Sequence, residues 1–383
     1  MRIISILPFL ILSQFSIGQK ANDYLNIDKK MTKIPDSLTT STSGIAGYIN
    51  ANFKAEAEKI RAAFYWTASN ISYDVPNMYE PNYLDSPQEK IANTLKSRKG
   101  VCIHYAEVYN DIANKIGIKT YIVGGYTKQD GKIAPISHAW CASIIDGKWF
   151  LFDPTWSAGY IEGQKFIKKL NNSFFRVEPS KMVTSHIPFD YLWQFLNSPV
   201  TNQEFISGKM DVNKPKINFE FETEIENYEK LSDEDKAFEA SKRIEKNGLL
   251  NKMIIDYYNE KKKEFTVLRQ NKNIEKLNLI SADFNEGISY LNDFILFRNK
   301  RFKPTQSDEI IKKMIQDVKD KFTKCKDNVY SIGSVGTENS SNLNSLKRLI
   351  LDALDKTKEQ EDFVNEYLSK GNLGRKIMFT NLR

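Results

Sequence analysis

The chain has 383 residues, 41% of them hydrophobic and 27% charged, so it is too apolar to be disordered and long enough for two domains. Its formal net charge of +7 is spread along the sequence and is not gathered into a basic tract. That is not a nucleic-acid-binding signature, and it favours anionic surroundings, such as a cell surface, only weakly.

Residues 1–18 read as a signal peptide. Met1-Arg2 is a short cationic start, the stretch to Ile17 is mostly apolar, and Ser16 and Gly18 supply small residues before a cut at Gln19. An apolar run of about 15 residues is short of the ~20 that a membrane span needs. No cysteine follows the cut, so a lipid anchor is not expected. The chain is therefore expected to be secreted or periplasmic, with no membrane span once the signal is removed. Its three cysteines, Cys102, Cys141 and Cys325, are an odd number, which leaves at least one thiol free.

Residues 19–50 form a polar segment, in which the Ser37 to Gly44 run reads as a loop or tether. From Asn52, Ile60, Ala63, Phe64, Thr67 and Ile71 keep helical spacing, and that helix ends near Tyr73-Asp74-Val75-Pro76. A proline-rich loop follows, then a short helix over Pro87 to Ser97. Arg98-Lys99-Gly100 is a breaker. A helix then runs from Cys102 to Ile116, with Gly117 where a C′ glycine belongs. Thr120 to Tyr126, Ser137 to Ile145 and Lys148 to Phe152 read as strands, and Asp146-Gly147 as a two-residue hairpin turn. Residues 51–200 are thus predicted to form an α+β domain.

Residues 201–230 read as a linker, with Ile217 to Glu224 alternating like a strand. Residues 231–383 read as a mainly helical region, with helices near 233–247, 249–269, 273–300, 306–327 and 341–369 and a polar break from Ile332 to Asn344.

Cys102 falls at a helix N-terminus, where unpaired backbone N–H groups and the helix dipole favour a reactive thiolate. The Asp146-Gly147 turn sets a register in which Trp140 faces Asp153 and His138 faces Thr155. His138 and Asp153 then lie diagonally on one face of the hairpin, about 7–8 Å apart at the backbone and within side-chain reach. A nucleophile, an imidazole and an orienting carboxylate make a set for acyl transfer. The opposite face, with Cys141, Ile145, Phe150 and Phe152, reads as core. Cys102-x-His104 with His138-x-x-Cys141 offers four zinc ligands by type. A strand points His138 and Cys141 to opposite faces, and a helix sets Cys102 and His104 about 200° apart, so no metal is expected. His104 reads as a helix-surface residue, and Cys325 has no visible partner.

The region from about Phe53 to Leu196 resembles the transglutaminase-like superfamily, within it the branch of kyphoscoliosis-peptidase-like proteins. The matching pieces are Arg61 to Trp66 with Asn70 to Asp74, Gly100-Val101-Cys102, Gly117-Ile118, Gly124-Gly125-Tyr126, His138-Ala139-Trp140, Gly147-Lys148-Trp149 and Asp153 to Trp156, with His186-Ile187-Pro188 and Trp193-Gln194 later. The resemblance implies a papain-like fold, a nucleophile helix packed on an antiparallel sheet. It implies Cys102 as nucleophile, His138 as general base and acid, and Asp153 as its orienter. The oxyanion donors would be the Cys102 backbone N–H with Trp66 or Tyr73; Trp140 and Trp156 would wall the cleft, and His186 would be structural. No cofactor is implied, and with no acidic loop, no calcium. The helical region is not covered. The expected function is a secreted cysteine enzyme hydrolysing peptide or isopeptide bonds through a thioester, on a protein or peptide substrate of the cell envelope or beyond. A protein-crosslinking acyltransferase with the same triad, and a non-catalytic binding or assembly module, remain the alternatives.

Overall fold

The computed structural model describes residues 24–79, 85–209 and 219–379. The expected signal peptide lies outside them. The chain divides into two compact units. One holds the described residues up to Leu231 together with Phe238–Lys261; the other holds Ser232–Ala237 and the described residues from Lys262.

The first unit opens with helix α1 (24–31), a 3₁₀ turn Asp36–Thr40 and α2 (Thr42–Asn52). The Ser/Thr run expected to be a tether is therefore mostly helical. Short hydroxyl side chains serve loops and helix caps alike. Here Ser41 accepts the Gly44 N–H at 3.1 Å, and Ile45 and Ile49 bury the helix face behind it. Asp28 on α1 takes two hydrogen bonds from the buried Arg61 on α3 (Glu56–Asn70), at 2.8 and 2.6 Å.

Next come β1 (Ser72–Tyr73), α4 (Pro87–Ser97), β2 (Lys99–Gly100) and α5 (Cys102–Lys115); β1 and β2 pair in parallel. Ser86 and Glu89 close a capping box before Pro87, and Gly117, at φ +87°, ends the chain's turn out of α5 as expected. Tyr105, Tyr109, Ile112 and Ala113 point one face of α5 into the main core, with Phe64 and Trp66 of α3 and Phe152 of the sheet.

The sheet consists of β3 (Thr120–Gln129), β4 (Lys132–Ile133), β5 (His138–Ile145) and β6 (Lys148–Phe152), in the order β4-β3-β5-β6, all antiparallel. The β5–β6 register is the one the turn predicts: Ile145 opposes Lys148 and Cys141 opposes Phe152. Asp146 and Gly147 both have positive φ, 50° and 74°, the geometry of a type I′ hairpin turn. A last strand, β9 (His186–Pro188), pairs with β3, Thr127 opposite His186 and Gly125 opposite Pro188. Between them lie α6 (Pro154–Ala158), the hairpin β7 (Gly159–Glu162) and β8 (Lys165–Lys168), and α7 (Pro179–Met182).

This α+β arrangement, with α5 packed against an antiparallel sheet, is papain-like. The first unit continues through α8 (Asn202–Ser207) and α9 (Phe221–Lys230) and includes part of α10 (Asp233–Lys246). The strand expected over Ile217 to Glu224 is not formed where it is described. Phe221 onward is helical, and Ile225 buries a single helical face that a period-two reading missed. Arg243 of α10 makes two hydrogen bonds to the buried Asp190, at 2.7 and 2.8 Å.

The second unit is helical, as expected: most of α11 (Lys252–Asn299), then α12 (Asp308–Tyr330), α13 (Gly336–Ser369) and α14 (Asn372–Met378). The two helices read near 249–269 and 273–300 are one, because the intervening Gln270-Asn271-Lys272 contains no breaker. The expected break from Ile332 to Asn344 shrinks to residues 331–335. Beyond it Ser340 satisfies its hydroxyl on Gly336 O at 2.7 Å, inside the helix. Leu277, Phe284, Phe294, Phe322 and Ile350 form this unit's own core, which includes Cys325. No helix among the described residues is long and apolar enough to cross a membrane.

Candidate active site

Cys102 is the first residue of α5 and is partly exposed, so its backbone N–H and thiol stand at the positive end of a 14-residue helix. What shapes this end is His104. Its Nδ1 accepts the Val101 N–H at 3.0 Å, and a Cβ on Gly100 would lie 2.6 Å from the His104 Cβ. His104, expected at the helix surface, is thus half-buried and caps its own helix. Burial pushes its pKa down, which keeps Nδ1 free to accept.

His138 opens β5 and Asp153 follows β6. Their side chains meet: His138 Nε2 is 2.7 Å from Asp153 Oδ2. Asp153 also caps α6, its Oδ1 accepting Thr155 N–H at 2.8 Å and Trp156 N–H at 3.0 Å, with Pro154 at the first helical position. Its side chain is fully buried. The two groups polarise each other. Burial alone would hold Asp153 protonated, but the hydrogen-bonded rings of His138 and His186 outweigh it and keep the carboxylate ionised well below its usual range. Burial likewise opposes a charged His138, but Asp153, with the Cys102 thiol adding to it, pushes its pKa up to about 10.

His186, read as structural from the sequence, is brought to the same carboxylate, its Nε2 3.2 Å from Asp153 Oδ2. No spacing rule could place it there. It depends on β9 crossing β3 at Gly125, where a Cβ would come within 2.2 Å of Ile187 O and 2.6 Å of the Trp140 ring. His138, Asp153 and His186 offer donor atoms within 4.8 Å of one another, a grouping that could be read as a metal site. The four N–H groups already on Asp153 use the roughly four acceptor positions of a carboxylate, so the trio reads as a hydrogen-bond network. The zinc set weighed in the sequence is not assembled. Cys141 Sγ donates to Ala106 O at 3.4 Å on the other face of β5, and His104 Nδ1 is occupied.

A cleft of about 790 Å³ opens beside His138, in the range of small-molecule and peptide subsites. Tyr73, Thr155, Trp156, Tyr160 and Phe174 line it, with Lys169 the one charged side chain besides His138 among the described residues. Trp156 is therefore a wall of the cleft. Trp140 is not; it is buried, stacking on His138 with centroids 6.1 Å apart. Of the two aromatic oxyanion candidates, Tyr73 borders the cleft. Burial, and then the neighbouring Cys102 and Asp153, raise its pKa, so its hydroxyl remains a donor at neutral pH. Trp66 is fully buried in the main core, and its indole N–H has no partner among the described residues.

A helix that carries a thiol at its N-terminus, packed on an antiparallel sheet that carries the imidazole and the acid, defines the papain-like class. Residues 43–154 match the family model described as the transglutaminase-like superfamily, so this core is transglutaminase-like. It is similar to kyphoscoliosis peptidase of Mus musculus, 29% identical over 39% of this chain and 24% of the relative, and of Homo sapiens, 28% identical over 44% and 27%. The chain thus spans about a quarter of the length of these curated relatives. A solved structure described as a TGase shares 22% identity, with 39% of this chain and 36% of that one covered and a TM-score of 0.24.

Proposed function

We propose that the chain is a cysteine enzyme that cleaves peptide or isopeptide amide bonds through a thioester on Cys102. The observation that carries this reading is the 2.7 Å contact of Nε2 of His138, which lines a cleft, with Oδ2 of the buried Asp153. Asp153 takes the Nε2 proton's hydrogen bond, which leaves Nδ1 of His138 to serve Cys102. The thiolate attacks the amide carbonyl, and the oxyanion is met by the Cys102 backbone N–H and the Tyr73 hydroxyl. His138 passes a proton to the leaving nitrogen as the C–N bond breaks. It then takes one from water, which attacks the thioester and releases the acid. Trp156 bounds the cleft, and no cofactor enters the scheme. Residues 1–18 would serve as the export signal, placing the enzyme in the periplasm or outside the cell, where the substrate would be protein or peptide.

A dansyl-amine assay with a casein-like acceptor tests the reading. Cleavage that disappears in Cys102→Ala is expected. Dansyl incorporation without cleavage would instead assign an acyltransferase, in which an amine reaches the thioester before water. Neither product from the folded chain would leave a binding module.

A further inference from the structure

Asp153 carries more donors than an acid that orients one imidazole needs. Oδ1 is filled by the Thr155 and Trp156 N–H groups at 2.8 and 3.0 Å, and Oδ2 is shared by two rings, His138 Nε2 at 2.7 Å and His186 Nε2 at 3.2 Å. His186 is 1% exposed. The rings of Trp140, Trp156 and Phe174 enclose it at centroid distances of 5.2, 4.6 and 5.1 Å.

Hydrogen-bond chemistry fixes its proton. A ring nitrogen that faces a carboxylate at this range must carry hydrogen, because two acceptors would repel. His186 Nδ1 lies 2.8 Å from Ser185 Oγ, whose other acceptor, Met182 O, is farther at 3.4 Å. A second positive ring beside His138 is disfavoured in this enclosure. Burial pushes the His186 pKa down against the pull of Asp153, and the charge of His138 pushes the same way. A neutral ring protonated at Nε2 has Nδ1 as an acceptor, so the Ser185 hydroxyl donates to it.

We infer that His186 is a positioning residue of the active site: a neutral imidazole, oriented by Ser185, that donates its Nε2 hydrogen to Asp153 Oδ2 and so fixes the carboxylate that holds His138. The inference rests on the roles proposed above for Cys102, His138 and Asp153. A second donor on Oδ2 disperses the carboxylate charge and weakens its grip on the His138 imidazolium. His138 then releases its proton to a leaving amine more readily than it would with Oδ2 to itself. The other titratable groups acting with Asp153 are Tyr73, Tyr105 and Cys141, and burial raises the pKa of each, which holds them protonated near neutrality. Cys102 acts on His138 from the α5 side.

The chain contains only three histidines, so the imidazole ¹⁵N spectrum of the full chain holds three rings. Two should be neutral and protonated at Nε2, those of His104 and His186; the one that vanishes in His186→Gln should be unchanging between about pH 5 and 9. The second measurement is the pH profile of Cys102 alkylation by iodoacetamide. His186→Phe should move the basic limb up by about half a unit, since one donor to the carboxylate is lost. His186→Gln, whose amide can still donate to Oδ2, should restore the profile towards that of the parent. A His186 ring that titrates in this range, or is protonated at Nδ1, overturns the inference. So does a folded His186→Phe protein with the parent profile, or a His186→Gln profile that matches His186→Phe. If Cys102 of the parent alkylates no faster than an ordinary thiol, the catalytic reading fails and takes this inference with it. A fast Cys102 with an unmoved His186→Phe profile sinks the inference alone.

Discussion

His138 and Asp153 share a 2.7 Å contact without being partners in the sheet. The β5–β6 ladder closes on Cys141 and Phe152, and Asp153 continues as the N-cap of α6. The acid is therefore held by a helix end, and the base by a strand.

That double duty separates two substitutions. In Asp153→Asn the side-chain oxygen can go on accepting the Thr155 and Trp156 N–H groups. The amide nitrogen then faces His138 Nε2 and forces the wrong tautomer. The amide-cleaving rate should fall on the order of 10³- to 10⁴-fold with the fold retained. Asp153→Ala removes the cap as well, worth about 1 kcal/mol more. Steady-state rates and urea unfolding of the two variants check this; an Asn variant of near-parent rate would refute the orienting role.

The His138–Asp153 attraction also sets a pH window for stability. His138 has a folded pKa raised to about 10. Its contribution is present in full below the unfolded value of about 6.5 and is lost as pH rises through the folded one. Asp153 is lowered, so its contribution holds above its unfolded value of about 3.9 and disappears in acid. The two shifts describe one attraction. Thermal melts should show Tm falling as pH climbs from about 7 towards 10, and His138→Gln should flatten that limb. A parent limb as flat as the variant's would contradict the pairing.

Gly125 is the point where β9 crosses close to β3. An alanine there would put Cβ 2.2 Å from Ile187 O and 2.8 Å from Pro188 Cα, both backbone atoms that cannot swing aside. Gly125→Ala should cost about 1–3 kcal/mol by overpacking. It should also loosen His186 from Asp153. Chemical denaturation, together with the His186 ring signal, would show whether strand and ring move together.

Asp190 and Arg243 form an ion pair with both side chains largely out of water, 3% and 11% exposed. Arg243→Met leaves Asp190 buried without its cation. A loss of about 3–5 kcal/mol is expected in urea unfolding. A change below about 1 kcal/mol would mean that the pair behaves like a surface bridge.

Local chemistry determined much of this protein from the sequence. The Asp146-Gly147 turn fixed the hairpin register as far as Cys141 and Phe152, because a two-residue turn with positive φ at both positions admits one pairing; the expected Trp140–Asp153 and His138–Thr155 pairs are not formed, because Asp153 leaves the strand to cap α6. Gly100 and Gly117 likewise bounded the helix that begins at Cys102. Where a local signal suits two structures, packing chose between them. The Ser37 to Gly44 run could cap or loop, and it caps. The α11 sequence held no breaker, and one helix resulted where two were expected. Only tertiary structure decided the fourth group. His186 lies 33 residues beyond Asp153, and its neighbourhood depends on a strand crossing at Gly125 that no short-range pattern encodes. The Trp140 ring is packed against the same point and buried, while Trp156 lines the cleft, for contacts distant in sequence are settled by packing and not by period.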